Sequence, residues 1–180
     1  MDKNGLYFVV HKHMATQLHY DFRLEIGGVM PSWSIPKGPT LDNSLKRLAM
    51  PTGDHELEYR TFEGTIPEGS PGAGPVMIWD EGTYMPEVEI SRGLRKLIDD
   101  PAEWDEVAHR SLLEGNIKFA LSGKKLSGSF ALVRTTGIRK RESWLLLKHK
   151  DGYCRSGYNA NDYDFSAVSG RTMEQIAALV

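Results

Sequence analysis

The sequence contains only one cysteine, Cys154, among its 180 residues. A single cysteine cannot form an internal disulfide, so the fold must depend on packing, and this cysteine usage suits a reducing compartment. No apolar run approaches the roughly 18 residues of a membrane-spanning helix. The start Met1-Asp2-Lys3-Asn4 does not have the pattern of a signal peptide. These absences exclude a disulfide scaffold and a helical membrane protein, and we expect a soluble, cytoplasmic protein with no membrane partner.

An excess of charge of one sign is also missing, because the formal net charge is only −2. The two signs are nevertheless segregated along the chain. Residues 54–115 hold 15 acidic and 5 basic residues, whereas residues 116–155 hold 10 basic and 2 acidic ones. The basic part is suited either to contact with a polyanion or to pairing with the acidic part on a solvated surface. Charge alone leaves both interpretations open.

The hydrophobic residues, 40% of the chain, occur in short segments separated by glycine and proline. We predict one domain, residues 1–180, with a mainly β fold: a closed or nearly closed β-barrel of short strands decorated by a few helices. Gly27-Gly28 is predicted to form a two-residue hairpin turn. The predicted strands cover residues 7–10, 18–26, 29–35, 46–50, 62–66, 76–79, 82–85, 117–121, 128–135 and 143–150.

Two segments have helical patterns. Asp99 or Asp100 is predicted to cap a helix that has Pro101 in its first turn. We interpret residues 86–115 as a helical insertion that contains this helix. A second short helix is predicted from Thr172 to Val180, within a C-terminal tail formed by residues 160–180.

Polar and apolar residues alternate from Leu18 to Leu24, which predicts a half-buried strand. Its polar members His19, Asp21 and Arg23 share one side, expected to face solvent. Its apolar members Tyr20, Phe22 and Leu24 share the other, core-facing side. His13 lies one short connection upstream and is close enough to return as a third ligand. Two histidines and one aspartate suit a divalent ion such as Mn²⁺, Fe²⁺, Co²⁺ or Zn²⁺.

Further polar residues follow downstream of this strand. His55 and Tyr59 are four residues apart and would share a face on a helical turn. His55 is suited to donating a proton or binding a phosphate oxygen, with Tyr59 orienting it. Lys37 and Arg47 each offer a cation for an anion, although both also fit as solvated side chains. We interpret the remaining histidines His11, His109 and His149 as structural or surface residues.

Five motifs occur in order and at close spacing. They are His13-x5-His19-x-Asp21-x-Arg23, Trp33-Ser34-Ile35-Pro36-Lys37-Gly38, Lys46-Arg47-Leu48-Ala49, Asp54-His55-x3-Tyr59 and Phe62-Glu63-Gly64-x-Ile66-Pro67-Glu68-Gly69. Together they resemble the 3′-phosphoesterase domain of bacterial and archaeal DNA ligase D. The resemblance continues over residues 76–84, 126–135 and 144–151, so it covers most of the chain.

The resemblance implies a manganese-dependent hydrolase that heals 3′ ends in DNA repair by non-homologous end joining. Such an enzyme removes a 3′-terminal ribonucleoside from a primer strand as a phosphodiesterase, and then the 3′ phosphate as a phosphatase. Mn²⁺ is the implied cofactor, with Co²⁺ or Zn²⁺ as alternatives. The implied metal ligands are His13, His19 and Asp21. The implied catalytic residues are Arg23, His55 and Tyr59, and the implied phosphate-binding residues are Arg23, His55, Lys37 and Arg47.

The resemblance also implies substrates and partner proteins, and the sequence departs from the family pattern at two positions. The substrates would be DNA or DNA–RNA primer-template 3′ ends, and polymerase, ligase or Ku end-joining proteins would act in trans with a freestanding enzyme. Gly53 precedes Asp54-His55 where the family usually has an acidic residue, and Glu56 stands where proline is common. These differences concern the phosphatase step more than the diesterase step.

Two other function classes fit parts of the sequence. One is an Fe(II) oxygenase in which His19, Asp21 and the distant His55 form a 2-His-1-carboxylate site. The other is a non-catalytic barrel whose basic surface binds DNA ends. Product analysis separates them, because an oxygenase releases no phosphate and a binding module does not shorten a strand.

Overall fold

The computed structural model describes residues 3–136 and 141–179. This part of the chain consists mainly of β-strands. The strands are β1 (Leu6–Met14), β2 (Leu18–Leu24), β3 (Val29–Ile35), β4 (Lys46–Glu56), β5 (Gly64–Ile66), β6 (Gly74–Ser91), β7 (Leu94–Leu97), β8 (Asn116–Gly123), β9 (Ser127–Thr135) and β10 (Ser143–Lys148). The predicted fold class is therefore confirmed.

Eight of these strands close into a ring. The neighbours run in the order β1, β2, β3, β4, β10, β9, β8 and β6, and β6 pairs again with β1. Every pairing in the ring is antiparallel. β5 and β7 each pair with β6 outside the ring. The predicted hairpin turn joins β2 to β3, where Gly27 and Gly28 take φ values of 64° and 82°, a region that glycine enters without strain.

The inside of the ring is filled by large apolar side chains. Phe119 on β8 illustrates how the strands meet there, because its ring centroid lies 5.9 Å from Phe22, 5.9 Å from Tyr84 and 6.0 Å from Phe130. All four side chains are buried, and each contributes about 1.5–3 kcal/mol of hydrophobic stabilisation. Tyr20, Phe22 and Leu24 belong to this core, which confirms the predicted core-facing side of β2.

Helices are few, as predicted. The helix α1 (Trp104–Glu114) follows a single 3-10 turn (Pro101–Glu103), and the Asp100 side chain caps that turn by accepting a hydrogen bond from the Ala102 amide. The helix α2 (Met173–Ala177) begins with a capping box between Thr172 and Gln175. Val180, the predicted end of this helix, lies outside the described residues. In the segment predicted as a helical insertion, helix is confined to α1 and its preceding turn, because residues 86–91 and 94–97 lie in β6 and β7.

Several strand predictions are corrected by the structure. β1 was predicted over residues 7–10 and β4 over residues 46–50, but they extend to Met14 and Glu56. Residues 76–79 and 82–85 were predicted as separate strands but belong to one strand, β6. β6 continues through the polar residue Asp80, because the Asp80 carboxylate accepts hydrogen bonds from the amides of Lys124, Lys125 and Leu126.

None of the helices in the described residues combines the length and the apolar composition that crossing a membrane requires.

Candidate metal centre

The candidate metal centre lies on the outward face of β1 and β2. His13 pairs with His19 and His11 pairs with Asp21 in the antiparallel register of these strands. Because side chains on one face of a strand recur every second residue, His11 and His13 share a face with the polar side of β2. Two short strands therefore bring three histidines and an aspartate together without any long-range loop.

The three predicted ligands converge. One nitrogen of His13, one of His19 and a carboxylate oxygen of Asp21 all lie within 4.8 Å of one another. Asp21 Oδ2 is 3.2 Å from His19 Nε2 and 3.7 Å from His13 Nδ1. The structure thus brings His13, His19 and Asp21 into one cluster.

The opposite nitrogen of each imidazole is held by a backbone carbonyl. His13 Nε2 donates to the Gly72 carbonyl oxygen at 2.7 Å, and His19 Nδ1 donates to the Gln17 carbonyl oxygen at 3.1 Å. In the neutral rings these bonds leave the lone pairs on His13 Nδ1 and His19 Nε2, which are the atoms that face Asp21. Carbonyl groups orient metal-binding histidines in this way in known sites.

The cluster needs a cation. Two imidazole lone pairs and a carboxylate oxygen repel one another at these distances unless a proton or a metal ion lies among them. The donor set of two nitrogens and one oxygen, with open positions, suits a first-row divalent ion. The residues therefore fit the predicted metal. The set does not select one ion over another.

The charges around Asp21 keep it ionised. Burial alone would raise the pKa of its carboxyl. When a proton and not a metal ion lies in the cluster, hydrogen bonds from His13 and His19, together with the Arg23 charge, hold that pKa well below its usual range. The hydrogen bond with Asp21 is also the main reason why the pKa of His19 is raised. Asp21 is thus a carboxylate, the form in which it binds a metal.

Arg23 is held rigidly beside the cluster. Its Nη2 lies 3.5 Å from Asp21 Oδ2, its Nε donates to His11 Nδ1 at 3.0 Å, and its Nη1 donates to Ser32 Oγ at 3.0 Å. Nη1 also lies 3.0 Å from His55 Nδ1. A guanidinium with this many fixed partners keeps its orientation and loses little entropy when it binds an oxyanion.

The contacts with Arg23 define which nitrogens of His11 and His55 carry protons. Since a guanidinium only donates, the Nδ1 atoms of both histidines must accept, and the proton of each neutral ring is on Nε2. His11 Nε2 accordingly donates to the Phe62 carbonyl oxygen at 3.0 Å. Burial, followed by the Arg23 charge, lowers the pKa of His11 to about 3 and also lowers the pKa of His55. His55 therefore presents a neutral ring with an Nε2–H group available as a donor.

Tyr59 packs over this group from the segment that follows β4. Its ring centroid lies 5.1 Å from His55, 5.2 Å from His11 and 5.2 Å from the Arg23 guanidinium carbon. The helical turn that would put His55 and Tyr59 on one face is not formed, because His55 belongs to β4 and Tyr59 to a 3-10 helix (Leu57–Thr61). The rings still meet, since this helix turns the chain back over β1.

The prediction that this side of β2 faces solvent is wrong for two of its residues. The Asp21 and Arg23 side chains are only 9% and 5% exposed, whereas the His19 side chain is 22% exposed. The cover consists of the 3-10 helix and the loop after β5, which reach the site at Phe62 and Gly72. The site is therefore a lined recess with His19 at its more open side.

Lys37 and Arg47 line a different recess, which they share with Tyr158 and Asn161. The described structure records no hydrogen bond or ion pair between either cation and the metal cluster. The structure does not bring Lys37 and Arg47 to the metal cluster, and their role as phosphate contacts stays a prediction.

Two side chains at the site were missed by the sequence reasoning. His11 was interpreted as structural or surface, yet it is fully buried against Arg23. Ser32 was not considered, and it accepts from the same guanidinium. His11 lies two residues before His13, and residues two apart in a strand share a face. A prediction that extended β1 beyond Val10 would therefore have placed His11 beside the cluster.

Comparison of the sequence with known proteins identifies a family. The family model described as the DNA ligase D 3′-phosphoesterase domain matches residues 11–134. The chain is 46% identical over 156 residues to the multifunctional non-homologous end joining protein LigD of Pseudomonas aeruginosa, a match that covers 86% of this chain and 16% of that protein.

Two mycobacterial relatives agree with this match. The multifunctional non-homologous end joining DNA repair protein LigD of Mycobacterium tuberculosis is 43% identical over 148 residues, or 82% of this chain. The LigD protein of Mycolicibacterium smegmatis is 40% identical over 161 residues, or 89% of this chain. The chain spans only 16% and 18% of the length of these two relatives. From its family match and these relatives, the chain belongs to the DNA ligase D 3′-phosphoesterase domain family.

Proposed function

We propose that this chain is a divalent-metal-dependent phosphoesterase that processes the 3′ ends of DNA or DNA–RNA primer-templates. It removes a 3′-terminal ribonucleoside as a phosphodiesterase and then the 3′ phosphate as a phosphatase. Mn²⁺ is the proposed ion, with Co²⁺ or Zn²⁺ as alternatives. The relatives named LigD support end joining as the setting.

The observation that carries the proposal is the convergence of His13 Nδ1, His19 Nε2 and Asp21 Oδ2 beside a fixed guanidinium. When bound to these atoms, a divalent ion would supply positive charge to a phosphate oxygen. Arg23 would bind another oxygen of the same phosphate as a charge-assisted donor. Two positive groups at one recess reduce the charge that otherwise repels a nucleophile from a phosphodiester.

Of the two roles predicted for His55, proton donor and phosphate clamp, we propose the clamp, because the Nε2–H of a neutral ring donates a hydrogen bond to a phosphate oxygen but is too weak an acid to protonate a leaving group. Its Nδ1 is occupied by Arg23, so the ring is fixed and its Nε2–H remains for the substrate. Tyr59 is proposed to hold both groups by packing against the His55 ring and the Arg23 guanidinium. His11 and Ser32 act as positioning residues because they contact Arg23 and not the cluster atoms.

The oxygenase alternative has less support from the geometry. It requires His55 to join His19 and Asp21 at the metal, but the third member of the described cluster is His13. His55 Nδ1 instead lies 3.0 Å from Arg23 Nη1.

The test is a 5′-labelled primer-template that carries one 3′ ribonucleotide, incubated with Mn²⁺ or with chelator. We expect Mn²⁺-dependent shortening by one nucleoside, followed by conversion of the 3′ phosphate to a 3′ hydroxyl. A strand that stays at full length while the protein binds its end identifies a non-catalytic binding module. Turnover that needs Fe²⁺, oxygen and an oxoacid, with no phosphate released, identifies the oxygenase. Either of these results contradicts the proposal.

A further inference from the structure

One carboxylate beside the metal centre joins three parts of the chain. Glu63 lies in the segment between the 3-10 helix and β5, and its side chain is half-buried. Its Oε1 accepts a hydrogen bond from the Ile78 amide of β6 at 2.9 Å, and its Oε2 accepts one from the Ser169 hydroxyl of the C-terminal tail at 2.6 Å. Both bonds are charge-assisted and therefore stronger than bonds between neutral groups.

This junction fills a gap in the sheet. β5 pairs with β6 only as far as Val76, and β8 begins to pair with β6 at Gly82. Between these residues, in the part of the chain that the structure describes, no strand lies on the edge of β6 that faces away from β1. The Ala167 amide of the tail donates to the Ile78 carbonyl oxygen there at 2.8 Å. Glu63 and the tail thus take the place of a strand at Ile78, which is buried.

The junction lies directly opposite His11. In the register of β1 and β6, His11 pairs with Ile78. The register shifts between Val10 and His11, which makes Trp79 the extra residue of a β-bulge. A bulge bends its strand and redirects the side chains around it. Glu63 therefore fixes β6 at the residue that precedes the bulge and faces His11.

The backbone next to Glu63 holds His11 from its other side. The carbonyl oxygen of Phe62, the preceding residue, accepts from His11 Nε2 at 3.0 Å. His11 Nδ1 in turn accepts from Arg23 Nε at 3.0 Å. A continuous series of contacts thus leads from Glu63 through Phe62 and His11 to the guanidinium.

The tail presents Ser169 from a turn that is closed by its own hydrogen bonds. Ser166 Oγ accepts from the amides of Val168 and Ser169 at 3.1 and 3.0 Å. The Ser166 amide donates to the Arg171 carbonyl oxygen at 2.8 Å. Serine side chains stabilise turns in this way. Because the turn is preformed, little entropy is lost when its hydroxyl binds Glu63.

We infer that Glu63 is a positioning residue for the phosphoesterase reaction. Held by Ser169 of the tail, it fixes Phe62 and β6 so that His11 keeps Arg23 in the orientation that binds phosphate. The tail thereby supports the reaction from outside the metal cluster. This inference rests on the proposed function for the reaction that Glu63 assists, but the orientation of His11 is measurable without metal or substrate.

The kinetic test uses three variants of the full chain in the ribonucleoside-release assay with Mn²⁺. Glu63→Ala is expected to lower kcat about 10-fold or more, because a displacement of about 1 Å near the reacting groups can cost about 100-fold. Mn²⁺ affinity should not change, since Glu63 contacts none of the three cluster ligands. Ser169→Ala removes one of the two bonds and should lower kcat less. Glu63→Gln should keep most of the wild-type kcat, because its carboxamide still accepts from the Ile78 amide and donates to the Ser169 hydroxyl.

Glu89→Ala is the matched control. Glu89 Oε1 also accepts a backbone amide, that of Gly93 at 3.0 Å, but in the turn between β6 and β7 outside the ring. Its kcat should equal that of the wild type. A wild-type kcat in Glu63→Ala overturns the inference. An equal loss of kcat in Glu63→Gln and Glu63→Ala also overturns it, as does a loss of Mn²⁺ affinity that accounts for the loss of kcat.

A spectroscopic measurement separates this inference from the proposed function. In ¹⁵N-edited NMR spectra of the full chain in chelator, the His11 Nε2–H proton should give a ring signal that His11→Gln removes. Glu63→Gln should leave this signal in place, and Glu63→Ala should shift it as the bond to the Phe62 carbonyl lengthens. An unchanged signal in Glu63→Ala overturns the inference whatever the activity. If the signal responds as expected but the wild type releases no ribonucleoside, the proposed function alone is contradicted, and the link from Glu63 to His11 stands.

Discussion

At the scale of single residues, the outer hydrogen bonds of the two cluster histidines matter as much as the ligand atoms. Gly72 and Gln17 carbonyls hold one nitrogen of His13 and of His19 as a donor. The other nitrogens are thereby presented as lone pairs toward Asp21. This arrangement favours a bound cation, since lone pairs so close to a carboxylate oxygen repel it unless a cation lies between them.

Replacing Asp21 by asparagine keeps the size of the side chain and removes its charge. We expect Mn²⁺ affinity to fall by more than the roughly 10- to 100-fold that follows loss of an outer partner of a metal ligand. Ribonucleoside release should fall with it. Titration calorimetry measures the affinity, and Asp99→Asn is the control because Asp99 is exposed after β7. Wild-type Mn²⁺ binding by Asp21→Asn would remove the carboxylate from the site.

Replacing Arg23 by lysine separates charge from geometry. The ammonium retains the positive charge but cannot contact His11, Ser32 and His55 together. We expect kcat to fall about 100-fold or more, as for the loss of a preorganised donor, with the bound metal content unchanged. Metal analysis beside the kinetic assay checks both values. If Arg23→Lys loses the metal as well, Arg23 supports the cluster and does not act on phosphate.

The sequence allowed the ligands to be predicted because they lie on adjacent short strands. The alternation in β2 placed His19, Asp21 and Arg23 on one side, and the structure confirms that they share it. The sequence pattern could not predict that His11 accepts a hydrogen bond from Arg23. That contact depends on the length of β1 and on the cover formed by Tyr59 and Phe62, which is a tertiary feature with no local pattern.

At the scale of elements, the loop between β5 and β6 is a part of the metal centre. Gly72 has a φ of 74°, and a Cβ atom at this position would lie 3.4 Å from His13 Cε1. An alanine would strain the backbone there, because its φ would have to stay positive, and its methyl group would contact the ring that Gly72 orients. The loop therefore controls the direction of His13 without supplying a ligand.

Gly72→Ala should lower Mn²⁺ affinity by about 10- to 100-fold, while the chain stays folded. Gly69→Ala in the same loop is the matched control. Its φ is 87°, so the backbone strain is similar, but a Cβ there would have no neighbour within 4 Å. Calorimetric titration of both variants with Mn²⁺ makes the comparison. Equal affinities in the two variants would mean that the Gly72 carbonyl does not orient His13.

Element boundaries were predicted less well than element types, and β6 shows why. The run Asp80-Glu81-Gly82 has the composition of a turn, so two strands were predicted. In the fold, Asp80 binds amides of the β8–β9 connection, and Gly82 passes the Ser122 carbonyl where no side chain would fit. Both causes lie about forty residues away in sequence, beyond the reach of local patterns.

At the scale of the whole molecule, stability depends on pH through one half-buried histidine outside the site, His149. His149 Nδ1 lies at hydrogen-bond distance, 2.7 Å, from Ser129 Oγ. Burial, then the charges of Arg95 and Lys118, lower its pKa to about 4 from 6.5. The unfolded chain therefore takes up a proton at this group between pH 6.5 and 4, whereas the folded chain does not. The free energy of unfolding should decrease as the pH falls through this range.

His149→Asn removes this group and should make the decrease between pH 6.5 and 4 less steep. His109→Asn should leave the slope unchanged, because His109 is exposed on α1. Urea unfolding of the three proteins at several pH values gives the slopes. If His149→Asn is as acid-sensitive as the wild type, this histidine does not titrate in the way its burial indicates.

The central claim is that His13, His19 and Asp21 bind one divalent ion, and anomalous diffraction from crystals grown with Mn²⁺ tests it most directly. The account predicts a single strong peak within coordination distance of His13 Nδ1, His19 Nε2 and a carboxylate oxygen of Asp21. His13 Nε2 and His19 Nδ1 should remain bonded to the carbonyls of Gly72 and Gln17. No peak among these three side chains, or a peak on the opposite imidazole nitrogens, would contradict it.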